Sequence, residues 1–162
     1  MSVAERAALL AERWVGTPYR HQGAVRGAGA DCLGLVRGVR RELGFEDVRV
    51  PAYAPGWGEG ADEGEPLLRA ARLFLQPRQG LAPTTGDVIV FRMVERGPAK
   101  HCAIALGPDR FVHAYAGVGT VVSALSEPWR RRIAGLFAFP EPDEPEHAGP
   151  GSDEPGSKEL RA

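Results

Sequence analysis

The chain has 162 residues, of which 43% are hydrophobic, 25% charged and only two cysteine. That is enough for one domain with a real core. It excludes a disulfide framework, and the lack of any run of 18 apolar residues excludes a membrane-spanning helix.

Ser2 followed by Glu5 forms a capping-box pair and predicts a helix to about Arg13, with Val3, Ala7, Leu10 and Trp14 near one face. Glu5, Arg6, Glu12 and Arg13 interrupt the first apolar stretch, so a secretory signal is not expected and the chain is expected to be made in a bacterial cytoplasm. Gly16-Thr17-Pro18 ends this helix. The Gly/Ala-rich loop Gly27–Ala30 then leads into a second helix from Cys32 to about Leu43, with Gly44 as its C-cap. Residues 45–65, rich in proline and glycine, predict a long irregular excursion whose Tyr53 and Trp57 either line a cleft or pin the loop to the core. Pro66 starts a third helix to about Leu75, with Leu67, Leu68, Ala71 and Leu75 on its apolar side.

From Gly86 onward the period shortens. Asp87–Met93, His101–Leu106, Arg110–Tyr115, Thr120–Ala124 and Ile133–Phe139 are short β-rich runs between turn signals. Helices first and antiparallel strands second predict an α+β domain over residues 1–140. The Pro/Gly-rich stretch 141–162 holds seven acids against two bases, and such a composition predicts a disordered acidic tail. The remaining body, with 14 acids and 18 bases, is mildly basic, which fits either an ordinary solvated surface or an anionic polymer as partner. No aromatic-interleaved basic run marks a nucleic-acid site.

The chemistry centres on Asp31-Cys32-Leu33-Gly34-Leu35. Unpaired N–H groups at a helix start favour an anion, so a thiol there ionises below its free value of ~8.5 and becomes a nucleophile. Cys32 also shares a stripe with Val36, Val39 and Leu43, which fits a buried structural thiol equally well. His101 and His113, distant in sequence, supply what a cysteine hydrolase needs: a base for the thiol and a group to orient that base. Strand alternation puts His101, Ala103 and Ala105 on one face, where small neighbours leave room for a helix terminus. It puts Cys102, Ile104 and Leu106 on the other, so Cys102 is expected to be a buried hydrophobe. A metal site from Cys32, His101, Cys102 and His113 is disfavoured by those opposite faces, and no metal or cofactor is implied.

Five segments in order carry a resemblance: Trp14–Tyr19, Asp31–Val36, Thr85–Phe91, His101–Gly107 and Phe111–Ala114. From about Trp14 to Pro140 the chain resembles the NlpC-type papain-like cysteine peptidases, which cut peptidoglycan stem peptides. The resemblance implies a catalytic helix packed on a small antiparallel sheet, Cys32 as nucleophile, His101 as base and His113 as the orienting third residue. It also implies that Tyr19 lies beside the nucleophile and that Asp31 caps the helix or binds the free amine of a stem peptide. Leu33 departs from the usual Asp-Cys-Ser-Gly and leaves the cleaved bond open, a D-glutamyl–diamino-acid bond being the expectation. The Asp-Cys-Leu-Gly form resembles the branch found in phage tails and gene-transfer particles, whose proteins would then be partners and which would carry the enzyme to the wall. An amidase or acyltransferase on the same scaffold, or a non-catalytic component that only docks tail or wall, are the alternatives.

Overall fold

In the computed structural model, which describes residues 1–50 and 64–142, the first helix α1 (Val3–Arg13) begins on the expected capping box. Ser2 Oγ accepts from the Glu5 N–H at 3.1 Å, and the Glu5 carboxylate accepts from the Ser2 N–H at 2.8 Å. Val3, Ala7, Ala8 and Ala11 are buried, and the chain leaves the helix through the fully buried Trp14. The Trp14 indole N–H donates to Glu42 at 2.8 Å, and its ring lies over Gly38, where a Cβ would come within 2.2 Å of it. Glycine at that position lets α1 and α2 (Cys32–Glu42) cross closely.

The loop before α2 contains a two-residue hairpin, β1 (Ala24–Val25) and β2 (Gly29–Ala30), too short to leave a periodic signal. It lies along the first turn of α2, and Gly34 permits this contact, since a Cβ there would sit 1.7 Å from the Gly23 carbonyl oxygen. α2 ends at Leu43, followed by Gly44 at φ +107°, the left-handed stop that its sequence predicts.

α3 (Pro66–Phe74) buries Leu67, Leu68 and Ala71. It is followed by β3 (Gln76–Arg78), β4 (Val88–Arg92), β5 (Ala99–Ala105), β6 (Arg110–Tyr115), β7 (Gly119–Ala124), the single turn α4 (Glu127–Arg130) and β8 (Ile133–Ala138). These elements include all five strands expected from the sequence. The unexpected β3 holds Pro77, which a sheet tolerates at its edge, and β3 is an edge strand. The sheet order is β3-β8-β4-β5-β6-β7, antiparallel throughout, and the architecture is α+β. Buried Asp87 ties the turn before β4 to the edge strand by accepting from Arg78, from the Thr84 N–H at 2.7 Å and from the Thr84 hydroxyl at 3.2 Å.

Each face of the sheet has its own core. Val88, Val90, Cys102, Ile104, Val112 and Phe137 pack against α1, α2 and α3. Ile89, Phe91, Ala103, Ala105, Phe111 and Leu136 face the other way and are covered by Leu125, Ile133 and Trp129. The expectations for Tyr53, Trp57 and nearly all of the acidic tail fall on residues 51–63 and 143–162, outside the described residues.

Candidate active site

Cys32 is the first residue of α2, and the preceding Asp31 is its N-cap. Both Asp31 carboxylate oxygens accept backbone hydrogen bonds, Oδ1 from Gly34 at 2.7 Å and Oδ2 from Gln22 at 2.8 Å. Asp31 is only 2% exposed, so its carboxylate is turned into the protein as a cap and staples the preceding loop to the helix. Gln22 sits at φ +63°, a left-handed conformation uncommon for a residue with a side chain, and its bond to Asp31 helps hold it there. Tyr19 stands at the rim, 37% exposed. Burial, then the charges of Asp31 and Cys32, push its phenol above the usual range, and its backbone bridges to Ala30 just before the helix cap. Leu33 packs against the helix-side core and lines an apolar cavity of about 180 Å³ with Val36, Leu67, Phe74 and Cys102.

β5 and β6 pair through Ile104–Val112 and Ala105–Phe111, at the end of β5 remote from Ala99. The α2 terminus reaches the other end of β5, where the Cys32 thiol points to the Lys100 carbonyl oxygen at 3.8 Å. There the two histidines meet, His101 Nε2 to His113 Nδ1 at 2.8 Å, and His113 Nε2 continues to Ser123 Oγ on β7 at 2.8 Å. With Nε2 committed to His113, Nδ1 of His101 is left for the thiol of Cys32.

The face on which this happens differs from the expectation. His101, Ala103 and Ala105 do point the same way, but toward the second core and not toward the helices. The imidazoles lie among Phe91, Phe111, Tyr115 and Trp129, with ring centroids 4.7–6.2 Å apart across the group. Large aromatic rings, not a helix terminus, fill the space beside the two alanines. The helix arrives instead on the Cys102 side, because that face carries the branched apolar residues that α2 buries. Cys102 is 2% exposed, yet it is more than a hydrophobe: its thiol donates to the Cys32 carbonyl oxygen at 3.3 Å.

The electrostatics split the two thiols. Hydrogen bonding from Cys102 holds Cys32 well below the usual thiol value, helped by hydrogen bonding to His101 and its charge, against burial and the Asp31 carboxylate. Cys102 is driven the opposite way by the same hydrogen bond, by burial and by the charges of Cys32 and Asp31. The site therefore favours one thiolate beside one thiol. Burial, then the charge of His101, lowers His113 to about 3, so this ring is neutral over most of the pH range. Sequence reasoning missed Ser123, Cys102 and Trp129. A lone serine in a strand carries no signal, and Trp129 lies on a four-residue turn without periodicity. Among the described residues, no group of three or more metal-binding side chains could hold an ion.

The model of the NlpC/P60 family matches residues 16–136. The chain belongs to the NlpC/P60 family. It is 31% identical over 121 residues to the murein DD-endopeptidase MepS/murein LD-carboxypeptidase of Escherichia coli, covering 74% of this chain and 54% of that protein. It is 29% identical over 132 residues to the gamma-DL-glutamyl hydrolase of Bacillus subtilis, covering 80% of this chain and 28% of that one. The chain thus spans about half or less of the length of these relatives. Among solved structures, the NlpC/p60 domain of the peptidoglycan hydrolase SagA superposes with a TM-score of 0.57 at 21% identity, covering 84% of this chain and 98% of that one. An NlpC/P60 family protein from Bacillus cereus gives a TM-score of 0.59 at 18% identity, covering 84% and 40%. The Escherichia coli relative is named for murein hydrolysis and SagA as a peptidoglycan hydrolase, and these structural likenesses establish the fold.

Proposed function

We propose that this chain is a cysteine endopeptidase that hydrolyses peptidoglycan stem peptides. The observation that carries the reading is a helix-terminal thiol that points to the Lys100 carbonyl oxygen, next to His101, with His101 joined to His113 at 2.8 Å and both far from Cys32 in sequence. Cys32 as thiolate attacks the scissile carbonyl carbon, and the carbonyl electron pair moves onto oxygen. We assign the developing charge to the Cys32 backbone N–H, which as the first donor of α2 has no intrahelical partner. His101, protonated on both nitrogens, gives its Nδ1 proton to the leaving amine as the C–N bond breaks, leaving a thioester on Cys32. Neutral His101 then takes a proton from water, which attacks the thioester and releases the acid and the Cys32 thiolate. His113 holds the His101 ring throughout by accepting from its Nε2–H.

The bond we favour is the D-glutamyl–diamino-acid bond, with Tyr19 at the rim orienting the peptide. Support comes from the family resemblance and from a relative named for glutamyl hydrolysis, while the endopeptidase relatives make the crosslink the competing bond. Delivery as part of a phage-tail-like or gene-transfer particle is included in this reading on the strength of the Asp31-Cys32-Leu33-Gly34 form, and co-purification of the chain with such particles checks it.

Digestion of purified sacculi, with released fragments identified by mass, tests both activity and bond. His101→Ala should fall to near background, because a general base contributes ~10²–10⁴-fold. His113→Ala should lose less, and His113→Asn should recover part of the loss. No fragments from the folded wild-type chain, or a fully active His101→Ala, overturns the reading.

A further inference from the structure

We propose that Ser123 is a positioning residue that fixes the tautomer of His113, and through it the proton inventory of His101. The inference rests on the catalytic roles proposed above for Cys32, His101 and His113.

His113 is 1% exposed, and both of its ring nitrogens are occupied, Nδ1 by His101 and Nε2 by Ser123, each at 2.8 Å. A neutral imidazole carries one ring proton, so only two arrangements are open. In the first, His113 Nε2–H donates to Ser123 Oγ and bare Nδ1 accepts from His101 Nε2–H. In the second, the Ser123 hydroxyl donates to His113 Nε2, and His113 Nδ1–H donates to His101 Nε2.

The proposed chemistry selects the first. A thiolate–imidazolium pair needs His101 protonated on both nitrogens, and its Nε2–H then requires an acceptor. In the second arrangement two N–H groups would confront each other at 2.8 Å. When His101 gives up its Nδ1 proton to the leaving amine, the Nε2 proton stays, so the first arrangement persists through the cycle. All proton movement is confined to the nitrogen that faces Cys32.

Ser123 is what keeps this arrangement. The rings of Phe111, Tyr115 and Trp129 surround His113, and the hydrogen-bond partner at its Nε2 is Ser123 Oγ. Without the hydroxyl oxygen that N–H loses its acceptor, and a buried donor left unsatisfied costs about 1–3 kcal/mol. The ring then does better to place its proton on Nδ1 and donate it to the bare Nε2 of a neutral His101, an arrangement that gives up the imidazolium. The register of β6 and β7 puts the hydroxyl within reach. His113 faces Val121, so Ser123 is its diagonal neighbour on the same side of the sheet.

The test uses the full chain with Ser123→Thr, Ser123→Val and Ser123→Ala, each checked for folding by its melting curve. Thr and Val have nearly the same shape, so they separate the hydroxyl from packing. The tautomer is read directly from the imidazole ¹⁵N chemical shifts, with the His113 signals identified by their loss in His113→Asn. Wild type and Ser123→Thr should show His113 protonated at Nε2, and Ser123→Val and Ser123→Ala should move the proton to Nδ1. With soluble muropeptides as substrate, Ser123→Val and Ser123→Ala should lose on the order of tenfold in kcat with little change in KM, and Ser123→Thr should stay near wild type. An Nε2–H tautomer that survives in Ser123→Val, or equal kcat for Thr and Val, overturns the role of Ser123. The tautomer readout needs no turnover, so it judges Ser123 even if the sacculus digest overturns the peptidase reading.

Discussion

At the scale of single residues, the unusual feature is a second thiol packed beneath the first. Two thiols this close cannot both ionise cheaply, because the second anion would be buried beside a like charge. The proton stays on Cys102, which is almost wholly shielded from solvent and whose thiol donates to the Cys32 carbonyl oxygen. Cys102→Ala removes the largest influence that holds Cys32 in its ionised form, so the Cys32 pKa should rise. The pH midpoint of iodoacetamide alkylation should move up accordingly, and Cys102→Ser, which keeps a donor, should move it less. In the wild-type fold, Cys32 should be the thiol that labels quickly, with Cys102 protected until unfolding. An unchanged midpoint in Cys102→Ala, or rapid labelling of Cys102, would show that the two sulfurs are not coupled.

At the scale of elements, the start of α2 is held by a carboxylate that serves two segments. Asp31→Ala forfeits the N-cap bond to Gly34, worth about 1 kcal/mol, and the bond from the Gln22 N–H, a further ~0.5–1.5 kcal/mol since Gln22 is exposed to water. The sum, roughly 1.5–2.5 kcal/mol, should lower Tm by about 3–10 °C for a chain of this size. The same change removes a negative charge beside Cys32, so the thiol should ionise more readily even as the fold weakens. A melt within about 2 °C of wild type, equivalent to roughly 0.5–1 kcal/mol or less, would show that the staple is not needed. The sequence made much of this element legible: the cap, the helix length, the glycine stop and the five long strands all follow from local chemistry and period. Two things were not legible. Alternation put His101 and Cys102 on opposite faces but could not say which face receives the helices, since that depends on how Phe91, Phe111 and Trp129 pack together from three separate segments. The contribution of Ser123 likewise depends on the β6–β7 register, which no single strand encodes.

At the scale of the whole molecule, the buried histidine pair couples the site to global stability through pH. His113 has a folded value of about 3 against an ordinary 6.5, because burial and the charge of His101 both disfavour its cation. Between those values the unfolded chain binds a proton that the folded chain does not, so stability rises with pH across that window. The contribution of neutral His113 is therefore complete above about pH 6.5 and is lost progressively as pH falls toward 3. Glu65 acts with the same sign at lower pH. Burial works against its charge, but the Arg92 guanidinium and the Ala99 N–H prevail and hold it below the usual carboxylate value. Its contribution is present above about 4.5, the ordinary value, and fades as pH falls below that. Denaturant unfolding at about pH 7.5, 5.5 and 4.5 separates the two, because Glu65 is charged in both states over most of that range. Wild type should lose stability on each downward step. His113→Asn, which cannot titrate, should lose less, so the stability difference between the two proteins should shift in favour of the variant as pH falls. Parallel pH dependence for the two proteins would mean that His113 can take up a proton within the fold, and that its neutrality is not what the buried pair enforces.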